Sequence, residues 1–133
     1  MPAKVLDSFA LVAYFRDEPH AEAVEQLLVA AGKQDAPLHM TEVNYAEVRY
    51  IITRKNGPAA WADAARVLVG LPITFHPATR ALADAAADFK ARYSLSLADA
   101  FAAALAKAQK DELVTGDAEF KPLAHEIKLH WLG

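Results

Sequence analysis

The strongest constraint in this sequence is an alternation: short apolar runs of strand length are separated, one after another, by alanine-rich stretches with helical periodicity. Strand-like runs fall at residues 4–7, 38–40, 73–75, 112–115 and 127–131, the last alternating Ile127, Leu129 and Trp131 with Lys128 and His130. Amphipathic helical stretches fall at 8–15, 21–31, 42–54, 59–69, 79–92 and 97–110. Strands joined through helices run parallel, because a parallel pair needs a long crossover, and the crossover helices then cover both faces of the sheet. The expected fold class is therefore α/β: a three-layer α/β/α sandwich around a central, mainly parallel sheet of about five strands. In such sheets ligands bind beyond the carboxyl ends of the strands. Punctuation agrees with these boundaries. Asp17-Glu18-Pro19 closes the first helix, Asn56-Gly57-Pro58 separates the third from the fourth, and Gly70-Leu71-Pro72 leads into the third strand.

With 133 residues, 54% of them hydrophobic, the chain suits one domain spanning residues 1–133 with a substantial core. No internal repeat or low-complexity tract suggests a linker. Cysteine is absent, so any metal must take oxygen or imidazole ligands, which leans towards hard cations. The N-terminal residues lack the apolar core of a signal peptide, and no segment offers the ~20 apolar residues needed to span a bilayer. A cytoplasmic protein without membrane association is expected. The net charge of −3 argues against broad electrostatic attraction to nucleic acid, so any RNA contact must be local.

Four acids carry the candidate chemistry. Asp7 closes the first apolar run where the backbone leaves the sheet, a position that suits either a helix cap or a ligand. Glu47 is spaced with Val43, Tyr50 and Ile51 on its helix, so it interrupts an apolar stripe, where an unpaired carboxylate would be costly. Glu42, just after the N-cap candidate Thr41, reads as a first-turn acid of structural value. Asp99 completes a capping-box spacing with Ser96, while Ala102, Ala103 and Ala106 form a small-residue face that would let its helix approach the sheet. Asp117 follows Leu113-Val114-Thr115-Gly116, with Gly116 permitting a tight turn and the Thr115 hydroxyl at the same rim. Glu119, two residues on, is an auxiliary ligand or a first-turn helix acid, and we read it as the latter. Four converging carboxylates repel one another unless cations intervene, and Mg2+ or Mn2+ is the usual occupant of such an oxygen-rich site. Two cations about 4 Å apart can activate a water and stabilise the leaving oxygen in phosphodiester cleavage.

In order and spacing, these segments resemble the PIN-domain ribonucleases, and among them the VapC toxins of toxin–antitoxin pairs. The resemblance covers nearly the whole chain. It rests on Val5-Leu6-Asp7-Ser8, on Thr41 through Ala46-Glu47-Val48, on Leu95-Ser96-Leu97-Ala98-Asp99-Ala100, and on Leu113-Val114-Thr115-Gly116-Asp117 before Phe120, with a last strand ending Trp131-Leu132. It implies a Mg2+- or Mn2+-dependent endoribonuclease in which Asp7, Glu47, Asp99 and Asp117 bind metal and Thr115 supports them. It further implies a VapB-type antitoxin covering the site, and a homodimer formed through helical surfaces.

Arg49, Arg54 and Lys55 follow Glu47 on the same helix and are candidate contacts to RNA phosphates, against the commoner reading of a solvated helix face. His20, His39, His76, His125 and His130 show no paired metal-ligand spacing and receive no catalytic role. Tyr14, Phe15, Trp61 and Phe89 read as core or partner-facing aromatics. No serine-hydrolase elbow or P-loop occurs. A phosphatase with Asp7 as nucleophile is a weaker alternative, since Asp7-Ser8-Phe9 lacks a second aspartate. A PIN-like module that binds RNA or protein without cleaving is the third reading, and it requires that the acids fail to converge.

Overall fold

The computed structural model describes residues 3–132. Its sheet consists of β1 (Lys4–Leu6), β2 (Leu38–Thr41), β3 (Ile73–His76), β4 (Glu112–Thr115) and β5 (Leu129–Trp131), in the order β3-β2-β1-β4-β5. All four pairings are parallel, with Val5 opposite both His39 and Leu113. The helices are α1 (Ser8–Phe15), α2 (Ala21–Lys33), α3 (Glu42–Asn56), α4 (Pro58–Val69), α5 (Arg80–Arg92) and α6 (Leu97–Gln109).

The strand period of two divides the core into two layers. Val5 and Leu113 point towards α5 and α6, packing with Ala86, Phe89, Phe101 and Leu105. Leu6 and Val114, one residue on, point to the other face and pack with Leu11, Val24, Val48, Trp61 and Leu68 of α1 to α4. The expected three-layer α/β/α arrangement results. Helix α6 is the most enclosed, with every residue from Ala98 to Ala106 buried, because its alanines let it approach β1, β2 and β4 closely.

Four helix starts are held by side-chain caps; the sequence places one of these, Thr79, inside its helix, and the structure makes it the cap. Asp7, Thr41, Thr79 and Ser96 each accept a backbone N–H from the first turn of α1, α3, α5 and α6. Two differences from expectation have plain causes. The last strand begins at Leu129 rather than 127, because the Ile127 N–H donates to the Leu123 carbonyl at 3.0 Å and belongs to the preceding turn. That turn closes a 3₁₀ segment, Ala118–Leu123, which the sequence hides because it is short and contains Pro122. Among the described residues no helix is long and apolar enough to cross a membrane.

Candidate active site

β1 and β4 lie side by side at the centre of the sheet, so the residues leaving their carboxyl ends meet. Asp7 follows β1 and its N–H still reaches the Val114 carbonyl at 3.4 Å. Its Oδ1 accepts the Ala10 N–H at 2.9 Å, which caps α1, while Oδ2 is buried and makes no well-formed hydrogen bond among the described residues, the Thr115 hydroxyl lying close by. Capping therefore uses only half of this carboxylate. Asp117 follows β4 after one glycine. Its N–H donates to Thr115 Oγ1 at 3.0 Å, and its Oδ1 accepts the Glu119 N–H at 2.9 Å to start the 3₁₀ segment. Asp99 enters from the first turn of α6, where Ser96 Oγ accepts its N–H at 3.1 Å. Among the described residues the Asp99 carboxylate makes no return bond to the Ser96 N–H, so the cap leaves it facing the cleft.

Asp99, Asp117 and Glu119 each offer an oxygen within 4.8 Å of the others. Glu119, read from sequence as a first-turn helix acid, thus stands with the cluster as well as in a first turn. Glu47 is half-buried on α3, close enough to act electrostatically on Asp99. The stripe inferred for it needs correction: the buried residues of α3 are Asn44, Val48 and Ile52, and Glu47 lies on the neighbouring ridge with Ile51 and Lys55, facing the cleft rather than the core. Glu42 is exposed in the first turn of α3. The cleft holds about 370 Å³ and is walled by Phe9, Arg16, Glu47, Lys55, Asp99 and Asp117.

Burial and crowding shift the protons. Burial, with smaller repulsion from Asp99 and Asp117, pushes Asp7 up to about 7, against the opposing pull of the Thr115 hydroxyl and the Ala10 N–H. Asp99 rises to about 6, first through burial and then through Asp117, Glu47 and Glu119, with Ser96 opposing. A cation would relieve both effects. The donor set fits a hard divalent ion, being all oxygen, with three carboxylates in mutual reach and the buried Asp7 carboxylate near enough to act on Asp99 and Asp117.

Arg49 and Arg54 do not line this cleft. Arg49 lies over the Trp61 ring and Arg54 over Tyr50, so both are spent on the outer face of α3. Lys55 does line it and has no ion-pair partner among the described residues. Arg16 lines it too, paired with Glu18 and donating to Asn56 Oδ1 at 2.8 Å. The residue that sequence reasoning missed is Asn44. Fully buried, it donates from Nδ2 to Ser8 Oγ at 2.9 Å and to the Ala98 carbonyl at 3.1 Å, while its N–H meets Thr41 Oγ1 at 3.0 Å. It thereby joins the starts of α1, α3 and α6, the first and last of which bear Asp7 and Asp99. The signal was present as an amide at the head of the 44-48-52 stripe.

A sequence profile of the PIN domain matches residues 4–126. The chain belongs to the PIN-domain family. No curated protein matches it in sequence. Among solved structures, VapBC2 from Rickettsia felis bound to a promoter DNA fragment is 13% identical over 98% of this chain and 99% of that one, with a TM-score of 0.79. VapC20 from Mycobacterium tuberculosis, a sarcin-ricin loop cleaving toxin, is 14% identical over 90% and 94%, at 0.74. FitAcB from Neisseria gonorrhoeae is 19% identical over 95% of each chain, at 0.68. At these identities the likeness is one of fold, and it places this PIN domain with the VapC toxins in architecture.

Proposed function

We propose that this PIN domain is a Mg2+- or Mn2+-dependent endoribonuclease, the toxin of a VapBC-type pair, held in check by a VapB-type antitoxin. The observation that carries the reading is the group of Asp99, Asp117 and Glu119, within ligand reach of one another beyond the carboxyl ends of the central strands, with the buried Asp7 and, on the facing helix, Glu47 close enough to act on it electrostatically. Several of its structural neighbours are VapBC or related toxin–antitoxin assemblies, and one cleaves the sarcin-ricin loop, which supports RNA as substrate and an antitoxin as partner.

When bound, a divalent cation supplies Lewis-acid polarisation of a phosphodiester and acidifies the attacking water. Asp99, Asp117 and Glu119 would hold it, with Asp7 beneath and Glu47 across the cleft. Burial favours the protonated form of Asp7 and Asp99, and a bound cation would favour their carboxylates instead. Thr115 fixes the Asp117 backbone. Lys55 at the cleft wall offers a phosphate contact in a chain with no general positive field.

The test is cleavage of defined RNAs by purified protein with Mg2+ or Mn2+, the ends being mapped by sequencing. Asp7→Asn, Asp99→Asn and Asp117→Asn are each expected to lower the rate at least about 100-fold, a loss of some 2.7 kcal/mol of transition-state stabilisation. Undiminished cleavage by Asp7→Asn and Asp99→Asn would remove the mechanism.

A further inference from the structure

On the sheet face covered by α6, two histidines 37 residues apart in sequence meet. His39 lies in β2 and His76 ends β3, and the register pairs His39 with Thr74, two residues before His76, so both rings stand on one face. His39 Nδ1 lies 2.8 Å from His76 Nε2. Gln109, the last residue of α6, brings its side-chain nitrogen to 3.5 Å from the same His76 Nε2, while its Oε1 is buried without a hydrogen-bond partner among the described residues. Asp111 is near enough to act electrostatically on His39. None of these residues lines the acidic cleft.

As a hydrogen-bonded cluster this arrangement is incomplete. One hydrogen fits between the two rings, and in the amide orientation present Oε1 has no donor among the described residues; turned over, it meets either the lone pair of His76 Nε2 or a hydrogen already shared with His39, at 3.5 Å. A cation bound by both ring nitrogens and Oε1 would satisfy all three. With metal–nitrogen bonds of about 2.0–2.1 Å, two ligands at 90° stand about 2.9 Å apart and two at the tetrahedral angle about 3.4 Å. The observed 2.8 Å is close to the first, a separation that a hydrogen bond between the rings also gives. Right-angle N,O coordination is the preference of Cu2+ and Ni2+. Burial, and after it the facing His76, holds His39 below its ordinary value, so its ring is neutral and able to donate a lone pair at neutral pH.

We propose that His39 Nδ1, His76 Nε2 and Gln109 Oε1 form a second metal site, selective for a tetragonal transition-metal ion such as Cu2+ or Ni2+ and tying the edge strand β3 to β2 and the end of α6. The site is independent of the acidic cleft and of any RNA chemistry.

The test is electron paramagnetic resonance of the untagged protein with one equivalent of Cu2+. Coupling to two equatorial imidazole nitrogens is expected, unchanged in Asp99→Asn and Asp117→Asn and lost in His39→Gln and His76→Gln, with circular dichroism reporting the fold of each variant. In the unaltered protein, substoichiometric Ni2+ is expected to broaden the His39 and His76 ring resonances before those of His20, His125 and His130. An oxygen-only or single-nitrogen spectrum, a two-nitrogen spectrum that survives both histidine substitutions, or first broadening elsewhere would overturn the proposal. The readout is coordination rather than cleavage, so its failure and that of the nuclease reading are separable.

Discussion

Gly116 shows how a single residue shapes the rim of the cleft. The sequence suggests a turn-maker, yet among the described residues the only glycine with positive φ is Gly57. What Gly116 provides is clearance: a Cβ there would stand 2.5 Å from Cε1 of Phe9 and 2.8 Å from its Cζ. Phe9 is 39% exposed and walls the cleft beside Asp117, so its ring is wedged between the β4 exit and solvent. Gly116→Ala must displace that ring, and because the clashing atoms are the far end of a partly exposed side chain the cost is expected to be about 0.5–1 kcal/mol, the scale of a rotamer shift. RNA cleavage should fall with it. Adding Phe9→Ala should remove most of this cost, giving a coupling energy that urea denaturation of the four proteins measures. Strict additivity would show that ring and glycine do not oppose one another. The same scale marks a limit of sequence reading. Glu47 was singled out for the wrong reason, since a helix wheel places residues on a face without saying which neighbour covers that face, whereas Asp7 and Asp117 were legible because strand exits are visible in the sequence.

Among the elements, α1, α3 and α6 decide whether the acids converge, because their N-termini carry or neighbour the carboxylates and Asn44 holds the three together. Ser96→Ala removes only the α6 cap and should cost about 1 kcal/mol. Asn44→Ala removes the amide's two donated bonds, to the Ala98 carbonyl and the Ser8 hydroxyl, and should cost about 1–2 kcal/mol. It should also lower kcat more than it raises KM, since it disturbs the spacing of Asp7 and Asp99 rather than the cleft wall. Thermal denaturation with steady-state cleavage kinetics checks both, and equal effects on kcat/KM in the two variants would deny Asn44 a positioning role. Elements of this kind were readable wherever periodicity and a cap agreed, as for α3 after Thr41 and α6 after Ser96. The 3₁₀ segment was not, because six residues around Pro122 carry no period. Nor was the Asn44 clamp, whose partners are 36 and 54 residues away in sequence.

For the whole molecule, the acidic site sets stability against function. Asp7 is an acid whose folded pKa, about 7, lies above its ordinary 3.8, and Asp99 shifts the same way to about 6. The folded state therefore binds these protons more tightly than the unfolded chain does. Their stabilising contribution is full below about pH 4 and is lost as pH rises through 6 and 7, when the folded form must also ionise. In EDTA the Tm is expected to fall between pH 5 and pH 8, with Asp7→Asn flattening the fall because its amide stays neutral and still offers Oδ1 to the Ala10 N–H. That variant should be more stable than the parent at pH 8 without metal, and inactive. Added Mg2+ should raise the parent's Tm at pH 8 and do so less at pH 5, where the cation must displace protons. Calorimetry of both proteins across pH, with and without Mg2+, decides the matter. A parent Tm indifferent to pH and Mg2+ would mean that the carboxylates are satisfied within the fold, leaving the site no reason of stability to take up a cation.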